Sequence, residues 1–409
     1  MKFPMNSMIV ALLLSGSAAL AAGPSSTLLS AAATDQVPDR LQVSAKTANA
    51  VLDHQPSALS WALDPASALD ARPIAFEQHS REYWIDASAD QLRQGLPLST
   101  SARGALIRIS PHADTRGSLD SATLGIRAGG RLYSSQDALR LTADEDALRA
   151  AGMQVPQGSV VVRLADDIDA GAIELIAPTA QGGYLVHVFE PDSAVVLHLQ
   201  AGRDTVISGQ ILGIRANVEG GARLDRLDGL LSAPDGHVQD VSFVRQADGS
   251  FVANVRPDPA HAGGFGLWEI HAFGQASQGR ISVARDARNA FAVSVPTARL
   301  AGSIERLTAL ASRNADINLR VAIEVAAASR YQLAGVLYGT RSDGSLAPAV
   351  VAHSATWLNP GSGAIDLRFD AAALRQANLA APYELRDLRL INQADMSLIE
   401  RRERAASLR

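Results

Sequence analysis

The clearest pattern in the chain is Gly263-Gly264-Phe265-Gly266-Leu267-Trp268-Glu269-Ile270-His271-Ala272-Phe273-Gly274. In an extended strand, successive side chains point to opposite faces. Trp268, Ile270 and Ala272 therefore share one face, whereas Glu269 belongs to the other. The pattern predicts a strand that is bounded by glycines and turns its tryptophan face toward a core.

The segment around that strand, residues 203–297, consists of short apolar runs separated by turn signals. Two of these signals are Pro234-Asp235-Gly236 and Asp248-Gly249. An Asp-Gly pair between alternating runs is typical of a β-hairpin, because the tight turn needs positive φ. About seven short strands in about 95 residues is the count of an immunoglobulin-like β-sandwich. We predict such a sandwich for residues 203–297.

The rest of the chain is also predicted to be mainly β. Residues 298–409 repeat the pattern of short strands and predict a second β-sandwich, with residues 400–404 as a solvated tail. Residues 76–200 predict a β-rich N-terminal domain with some helix. Residues 22–75 are rich in Ala, Ser, Asp and Pro and lack periodicity, so they predict a flexible leader.

Local signals give more detail within the N-terminal domain. Ser88 and Gln91 have the spacing of a capping box, in which each side chain bonds the other's backbone amide. Thr142-Ala143-Asp144-Glu145 has the same spacing and predicts a second helix start. Pro191-Asp192-Ser193 lies between two apolar runs and predicts a hairpin turn.

The N-terminus has the pattern of a secretory signal. Lys2 precedes the short apolar run Met8–Leu14, and Ala19-Leu20-Ala21 supplies a small-x-small cleavage pattern. The apolar run is too short to span a bilayer. We therefore predict a signal peptide over residues 1–21, no membrane span, and a periplasmic or secreted protein.

Composition excludes several classes of function. A net charge of −5 without a basic tract argues against nucleic-acid binding. The absence of cysteine excludes disulfides and thiol nucleophiles. The common motifs of serine hydrolases, zinc proteases and P-loop enzymes do not occur. A Ser-His-Asp site assembled from distant residues stays open, since such sites are defined by geometry.

Immunoglobulin-like domains often carry Gly-x-Tyr-x-Cys in the penultimate strand, with the aromatic residue and the cysteine facing the core. Gly266-Leu267-Trp268-Glu269-Ile270 resembles this frame, with Trp268 in the place of the tyrosine and Ile270 in the place of the cysteine. A tyrosine corner needs a hydroxyl, whereas tryptophan donates only through its ring N–H. The resemblance implies a packing role for Trp268.

Taken whole, the chain resembles a bacterial secreted family known as domain of unknown function 4785. The resemblance rests on Tyr184-Leu185-Val186-His187-Val188-Phe189-Glu190-Pro191, on the Trp268 strand, and on Tyr331-Gln332-Leu333 through Trp357-Leu358. It implies an N-terminal β-rich domain followed by immunoglobulin-like domains, and it implies no activity.

Histidines are the first candidates for a functional site. His271 and Glu269 point the same way on one strand, which is compatible with a surface metal pair. A single histidine on a half-exposed strand usually has no such role. The other candidates lie in the middle and N-terminal domains: His237, His261, His187 and His198.

Carboxylates and aromatic residues give three more candidates. Asp166-Asp167-Ile168-Asp169 is the densest acidic cluster, but it lacks the glycine and distal glutamate of a calcium loop, which favours a solvated turn. Asp144-Glu145-Asp146 is explained by the favourable placement of negative charge at a helix N-terminus. A glycan site near Tyr83-Trp84 stays open, although 5% aromatic content argues against glycan binding.

The sequence therefore favours an exported, non-enzymatic binding or accessory protein whose immunoglobulin-like domains act as spacers or recognise a protein partner. It assigns no catalytic, cofactor-binding or metal-ligating residue, and no cofactor. Two alternatives remain: a secreted hydrolase with its site in the N-terminal domain, and a calcium-stabilised surface module.

Overall fold

A computed structural model of the protein describes residues 25–43, 52–69, 75–115, 119–262, 266–308 and 315–408. The fold is mainly β, as predicted: the described residues form 28 strands in five sheets and only four short α-helices. The predicted signal peptide lies outside the described residues. No helix in the described ranges is long and apolar enough to cross a membrane.

The N-terminal part of the chain contributes twelve strands and three helices. The strands are β1 (Ser25–Thr27), β2 (Ser57–Ala62), β3 (Phe76–Ser80), β4 (Glu82–Ser88), β5 (Leu96–Thr100), β6 (Leu106–Pro111), β7 (Gly125–Ala128), β8 (Arg131–Ser134), β9 (Leu139–Ala143), β10 (Val160–Leu164), β11 (Gly171–Ile176) and β12 (Gly183–Phe189). The helices are α1 (Ala89–Gln94), α2 (Ser135–Ala138) and α3 (Glu145–Ala150), with a 3₁₀ turn at Ser121–Thr123.

These strands form two layers around a shared core. One layer has the strand order β4-β12-β6-β10-β9 and the other has the order β5-β11-β7-β8. Ile107, Val162 and Leu175 alternate with more exposed neighbours and are completely buried. The period-two burial is what antiparallel strands with one covered face require.

Both predicted helix starts exist, and one is displaced. Ser88 and Gln91 form the predicted capping box at α1. The second helix is capped by Asp144, whose side chain accepts from the Ala147 amide at 3.0 Å. The prediction that Thr142 opens this helix is wrong, because Thr142 pairs with Val162 of the neighbouring strand.

The middle part of the chain contributes nine strands and a 3₁₀ turn at Pro259–His261. The strands are β13 (Leu197–Ala201), β14 (Thr205–Ile207), β15 (Leu212–Val218), β16 (Arg223–Ser232), β17 (Val238–Ser242), β18 (Val244–Arg245), β19 (Phe251–Val255), β20 (Trp268–Gln278) and β21 (Ile281–Ser294).

The strand order in this part is that of an immunoglobulin-like sandwich. One sheet reads β13-β15-β19-β18 and the other reads β21-β20-β16-β17. The first order corresponds to strands A-B-E-D of that fold. In the second, β21, β20 and β16 correspond to G, F and C, and β17 is an added strand next to C. β20 is the penultimate strand, as its sequence pattern predicts, and Trp268 is 2% exposed. The sandwich takes in β13 and β3, both of which precede residue 203, the predicted start of this domain.

The first two parts of the protein share one hydrophobic core. It extends from Tyr83 to Phe291, and β21 joins β4 through a single pair of residues, Asp286 and Glu82. The predicted hairpin at residues 191–193 is wrong. β12 pairs with β4 and β6, whereas β13 pairs with β3 and β15, so the chain changes sheets at this turn.

A buried ion pair lies at this change of sheets. Arg285 and Glu190 are both 0% exposed, and Arg285 Nη2 lies 2.7 Å from Glu190 Oε2. Glu190 Oε1 also accepts from the backbone amides of Ser101 at 2.5 Å and Ala102 at 2.9 Å. Arg285 Nε donates to the Val195 carbonyl at 2.9 Å. The turn after β12 therefore bonds inward to β21 instead of closing a hairpin.

The C-terminal part of the chain forms a second sandwich with its own core. Its orders, β22-β23-β26 and β25-β24-β27-β28, again follow immunoglobulin-like connectivity. Its elements are β22 (Ala298–Arg306), β23 (Ile317–Val325), β24 (Ser329–Thr340), β25 (Leu346–Leu358), β26 (Gly361–Phe369), α4 (Ala371–Ala377), β27 (Ala380–Asn392) and β28 (Ser397–Leu408).

The predicted solvated tail, residues 400–404, is wrong because these residues lie within β28. Glu400 is 0% exposed and accepts from the Leu300 amide and from Arg402 Nε, both at 2.8 Å. Burial raises the pKa of the Glu400 carboxyl. The charged side chains of Glu400 and Arg402 therefore pair with each other inside the protein and do not mark a solvated segment.

The predicted flexible leader is also wrong for its described residues. β1 pairs with β22 and β2 pairs with β25, so both extend the C-terminal sandwich. Residues 25–43, called here the N-terminal strap, also bond β28: the Gln36 amide donates to the Arg401 carbonyl at 3.0 Å, and the Arg401 amide donates back at 2.8 Å. Side-chain periodicity does not reveal the strap, because backbone hydrogen bonds hold it in place.

The strap should protect β28 from solvent exchange. Gln36→Pro removes the amide that donates to Arg401, so we expect the Arg401 and Glu403 amides to exchange at least about tenfold faster. Gln36→Ala keeps the amide and serves as the control. Hydrogen exchange read by NMR or mass spectrometry measures the effect, and equal protection in both variants would contradict the pairing.

Candidate functional site

A groove of about 650 Å³ lies where the N-terminal layer meets the middle sandwich. β4 and β21 pair at Glu82 and Asp286 and share no other partner residues. Side chains from β4, β12, β16, β20 and β21 line the groove. The single backbone bridge therefore leaves a concave surface between two halves of one sheet.

Trp84 is one of the residues that line this groove. His187, its cross-strand partner, stacks on the indole with ring centroids 4.7 Å apart and an interplanar angle of 10°. The guanidinium carbon of Arg288 lies 4.7 Å from the indole centroid, and His271 meets the ring edge-on at 6.1 Å. We call Trp84, His187, His271 and Arg288 the Trp84 cluster. Its stacking and cation–π contacts fix the indole in place.

Two carboxylates orient the two imidazoles. His187 Nε2 donates to Glu82 Oε2 at 2.7 Å, and His271 Nε2 donates to Asp286 Oδ2 at 3.3 Å. Asp286 is nearly buried and also accepts from the Trp84 amide at 3.1 Å. These bonds place the proton of each ring on Nε2 whenever the imidazole is neutral.

The rim of the groove carries both signs of charge. Arg226 pairs with Asp228 at 2.6 Å, and Arg288 lies 3.7 Å from Glu269. Phe273 adds an aromatic ring 5.3 Å from the His271 ring. Aromatic, guanidinium and carboxylate groups together suit a ligand with both apolar and charged parts.

Tyr83 is the hydroxyl-bearing residue of the groove lining within the described part of the chain. Burial raises the pKa of its phenol to about 12, and the phenol donates to the Ser99 carbonyl at 2.9 Å. It therefore stays protonated and bonded. The chemistry that this groove offers is recognition through stacking, charge and hydrogen bonds, with the His271 imidazole in its lining as a proton-transfer group.

The structure brings two of the five candidate histidines, His187 and His271, against the Trp84 indole, and His271 lines the groove. His271 and Glu269 do not form a pair, since each bonds a residue of β21 instead. His237 and His261 stack on each other with ring centroids 3.8 Å apart. Asp235 bonds His261 at 2.7 Å, and this bond lowers the pKa of Asp235. His198 lies in the opposite sheet of the middle sandwich.

The acidic candidates have structural partners. Asp166, Asp167 and Asp169 pair with three different arginines, which are Arg163, Arg140 and Arg103. Ile168 is 3% exposed and anchors the turn between them. Asp144-Glu145-Asp146 caps and begins α3, as predicted. Neither cluster collects its carboxylates around a common point.

Sequence reasoning missed Glu82, Asp286 and Arg288. An available signal is Arg285-Asp286, two adjacent charges inside the long strand β21, where alternation sends one charge to each face. Arg285 enters the core and Asp286 enters the groove. The signal is weak because it appears only once the strand is known to begin at Ile281, whereas the apolar run in the sequence predicts a strand only over residues 290–295.

Comparisons with known proteins agree with this architecture. Residues 48–190 match the model described as "Domain of unknown function (DUF4785) N-terminal domain", and residues 297–409 match the corresponding C-terminal domain. The two matches together cover more than half of the chain. A search of curated proteins finds no match.

A crystal structure of a DUF4785 family protein from Legionella pneumophila subsp. pneumophila is similar to 91% of this chain and 99% of its own length. The TM-score is 0.72 and the sequence identity is 19%, so the likeness shows the fold alone. Trypsin-activated alpha-2-macroglobulin from Escherichia coli covers 79% of this chain and 30% of its own, with 10% identity and a TM-score of 0.20, too low to bear on fold or function. With both family domains present and the fold shared along nearly all its length, the chain belongs to the DUF4785 family.

Proposed function

We propose that the protein is an exported, non-enzymatic binding protein and that the Trp84 groove holds a segment of a partner protein. The observation that carries the proposal is the Trp84 cluster, whose contacts hold the indole in place in the lining of a concave surface. Tryptophan, tyrosine and arginine in well-packed pockets supply most of the binding energy at protein interfaces. The sequence of residues 1–21 supports export to the periplasm or the medium.

The contacts around Trp84 favour a protein partner over a glycan. Sugars stack on free aromatic faces. Here His187 and Arg288 both lie over the indole, so a sugar would have to displace one of them. The paired charges at the rim instead match the polar border of protein interfaces, where they contribute to specificity.

Truncation of Trp84 should weaken partner binding strongly. We expect Trp84→Ala to raise the Kd about 30-fold, equivalent to about 2 kcal/mol, because a central aromatic anchor is lost. Trp61→Ala is the matched control, since Trp61 is 50% exposed on the C-terminal sandwich. Binding is measured by isothermal titration calorimetry, and circular dichroism checks that both variants fold.

The partner itself can be found by photo-crosslinking. A photoreactive amino acid at Leu230, in the groove, should capture one defined protein from periplasmic extract or culture medium. The same group at Val244, 61% exposed in the other sheet, should not. Capture at both positions, or an unchanged Kd for Trp84→Ala, would contradict the groove as the binding site.

A hydrolase is the second candidate, because each imidazole of the Trp84 cluster is oriented by a carboxylate. This arrangement prepares a histidine for general-base chemistry. Turnover of any substrate in a hydrolase panel, lost in His187→Ala or His271→Ala and kept in His261→Ala, would favour this candidate. His261 is a matched control because it also bonds a carboxylate, that of Asp235, and neither residue lines the groove.

The calcium-stabilised module receives no support from the fold. Each carboxylate of residues 166–169 is already neutralised by a separate arginine. Calcium needs six or more oxygens around one point. An unchanged Tm when Ca²⁺ is added to the metal-free protein is the expected result.

A further inference from the structure

Backbone register gathers four metal-binding side chains on the outer face of the middle sandwich. β3 and β13 are antiparallel, with His79 opposite His198 and Glu77 opposite Gln200. Glu77 and His79 are two residues apart, so they share a face. Leu197 and Leu199 point into the core, which turns His198 outward between them. Glu219 follows β15, the strand on the other side of β13.

The ligand atoms of three of these residues are already close together. One atom each from Glu77, His79 and His198 lies within 4.8 Å of the others. Glu77 Oε1 is 2.8 Å from His198 Nδ1 and 3.5 Å from His79 Nε2. In a tetrahedral zinc site with bonds of about 2.0–2.1 Å, ligand atoms are about 3.3 Å apart. Changes of at most about 1.5 Å in these separations would therefore place all three around one ion.

His198 is only 8% exposed, and its Nε2 atom has no hydrogen-bond partner among the described residues. Glu219 Oε1 lies 2.8 Å from Nε2 but off the direction of the ring N–H. A buried polar atom without a partner is costly. A metal on Nδ1 places the ring proton on Nε2, where the Glu219 carboxylate can accept it after a small rotation.

We propose that Glu77, His79 and His198 bind a zinc ion and that Glu219 is a positioning residue for His198. Two imidazoles and a carboxylate suit zinc, whereas calcium and magnesium prefer oxygen ligands throughout. A carboxylate behind a ligating histidine is the usual outer support of such sites. Glu77 and His79 are exposed, so the fourth position faces solvent and takes water.

The site is independent of the Trp84 groove, which lies on the other sheet of the sandwich. Zinc binding at this site should therefore not depend on binding of a partner in the groove. None of the residues that line the groove belongs to the site. Failure of one proposal leaves the other standing.

Zinc titration of the full mature chain, without a histidine tag and after chelator treatment, tests the proposal. We expect one equivalent of Zn²⁺ to bind and to raise the Tm, while Ca²⁺ and Mg²⁺ leave the Tm unchanged. His79→Ala and Glu77→Gln should weaken zinc binding at least about tenfold, and Glu219→Gln about 10- to 100-fold. His112→Ala is the control with unchanged affinity.

Cobalt provides a readout that a purely structural role would not affect. Co²⁺ bound in a four-coordinate site gives intense visible absorption, which should disappear in His79→Ala and shift in Glu219→Gln. The metal-free variants should keep the Tm of the metal-free parent. Equal zinc affinity in the parent and His79→Ala, or no stoichiometric binding by the parent, would overturn the proposal.

Discussion

Arg285→Met should lower the free energy of unfolding by about 3–5 kcal/mol, because it leaves the carboxylate of Glu190 buried without its counter-charge. Both side chains are completely inaccessible to solvent. Methionine fills a similar volume but cannot donate to the carbonyls of Val195 and Ala284 or to the hydroxyls of Ser101 and Ser193. The loss should be larger than that of a single hydrogen bond, since these four acceptors lose their donor together with the charge.

A double-mutant cycle separates the pair from its surroundings. Arg285→Met combined with Glu190→Gln removes both charges, so the double variant should be more stable than Arg285→Met alone. Arg320→Met is the matched control, since the Arg320–Asp366 pair is about half exposed and such pairs contribute about 0–1 kcal/mol. Urea unfolding followed by circular dichroism measures these three variants and Glu190→Gln alone. Equal losses for Arg285→Met and Arg320→Met would refute the structural role of the buried pair.

Trp268→Ala should cost about 3–5 kcal/mol, the range for truncation of a large buried aromatic residue. Trp268 is 2% exposed and lies opposite Phe291, which is also buried, in the centre of the shared core. Removal of the indole leaves a cavity that rigid neighbouring strands cannot fill. Because the core extends into the N-terminal layer, the substitution should destabilise both the N-terminal layer and the middle sandwich.

The measurement for Trp268 is thermal and urea unfolding, with Trp61→Ala as the control. Trp61 is 50% exposed and touches His353 only edge-on, at 5.4 Å. We expect Trp61→Ala to cost less than about 1 kcal/mol. A comparably small loss for Trp268→Ala would show that the strand is not the framework of the sandwich.

Local signals in the sequence predicted local structure well. The Ser88 and Gln91 capping box depends on groups three residues apart, so it is visible in any short window. The alternation around Trp268 predicts both the strand and its buried face. The two Asp-Gly and Pro-Asp-Gly signals of the middle domain also mark observed turns, with positive φ at Gly236 and Gly249.

Long-range pairing was not predictable in the same way. β3 reads Phe76-Glu77-Gln78-His79-Ser80, which has few β-formers and is held by pairing with β13 more than one hundred residues later. The groove around Trp84 needs β4 beside β21, and nothing near Trp84 in the sequence identifies that neighbour. The charged residues of β28 led to the prediction of a solvated tail, because their partners lie far away along the chain. Leu300, a partner of Glu400, is one example.

The N-terminal strap has a consequence for the order in which the chain can fold. Thr34 and Asp35 bond Glu403 across sequence separations of 369 and 368 residues. A fragment that ends before β28 lacks Glu403. A growing or partly translocated chain therefore cannot form these hydrogen bonds until β28 is available. Contacts of such high order cost loop entropy and form slowly. Closure of the strap should therefore be a late step, and until it occurs the edge of β28 stays open to chaperones, proteases and other strands.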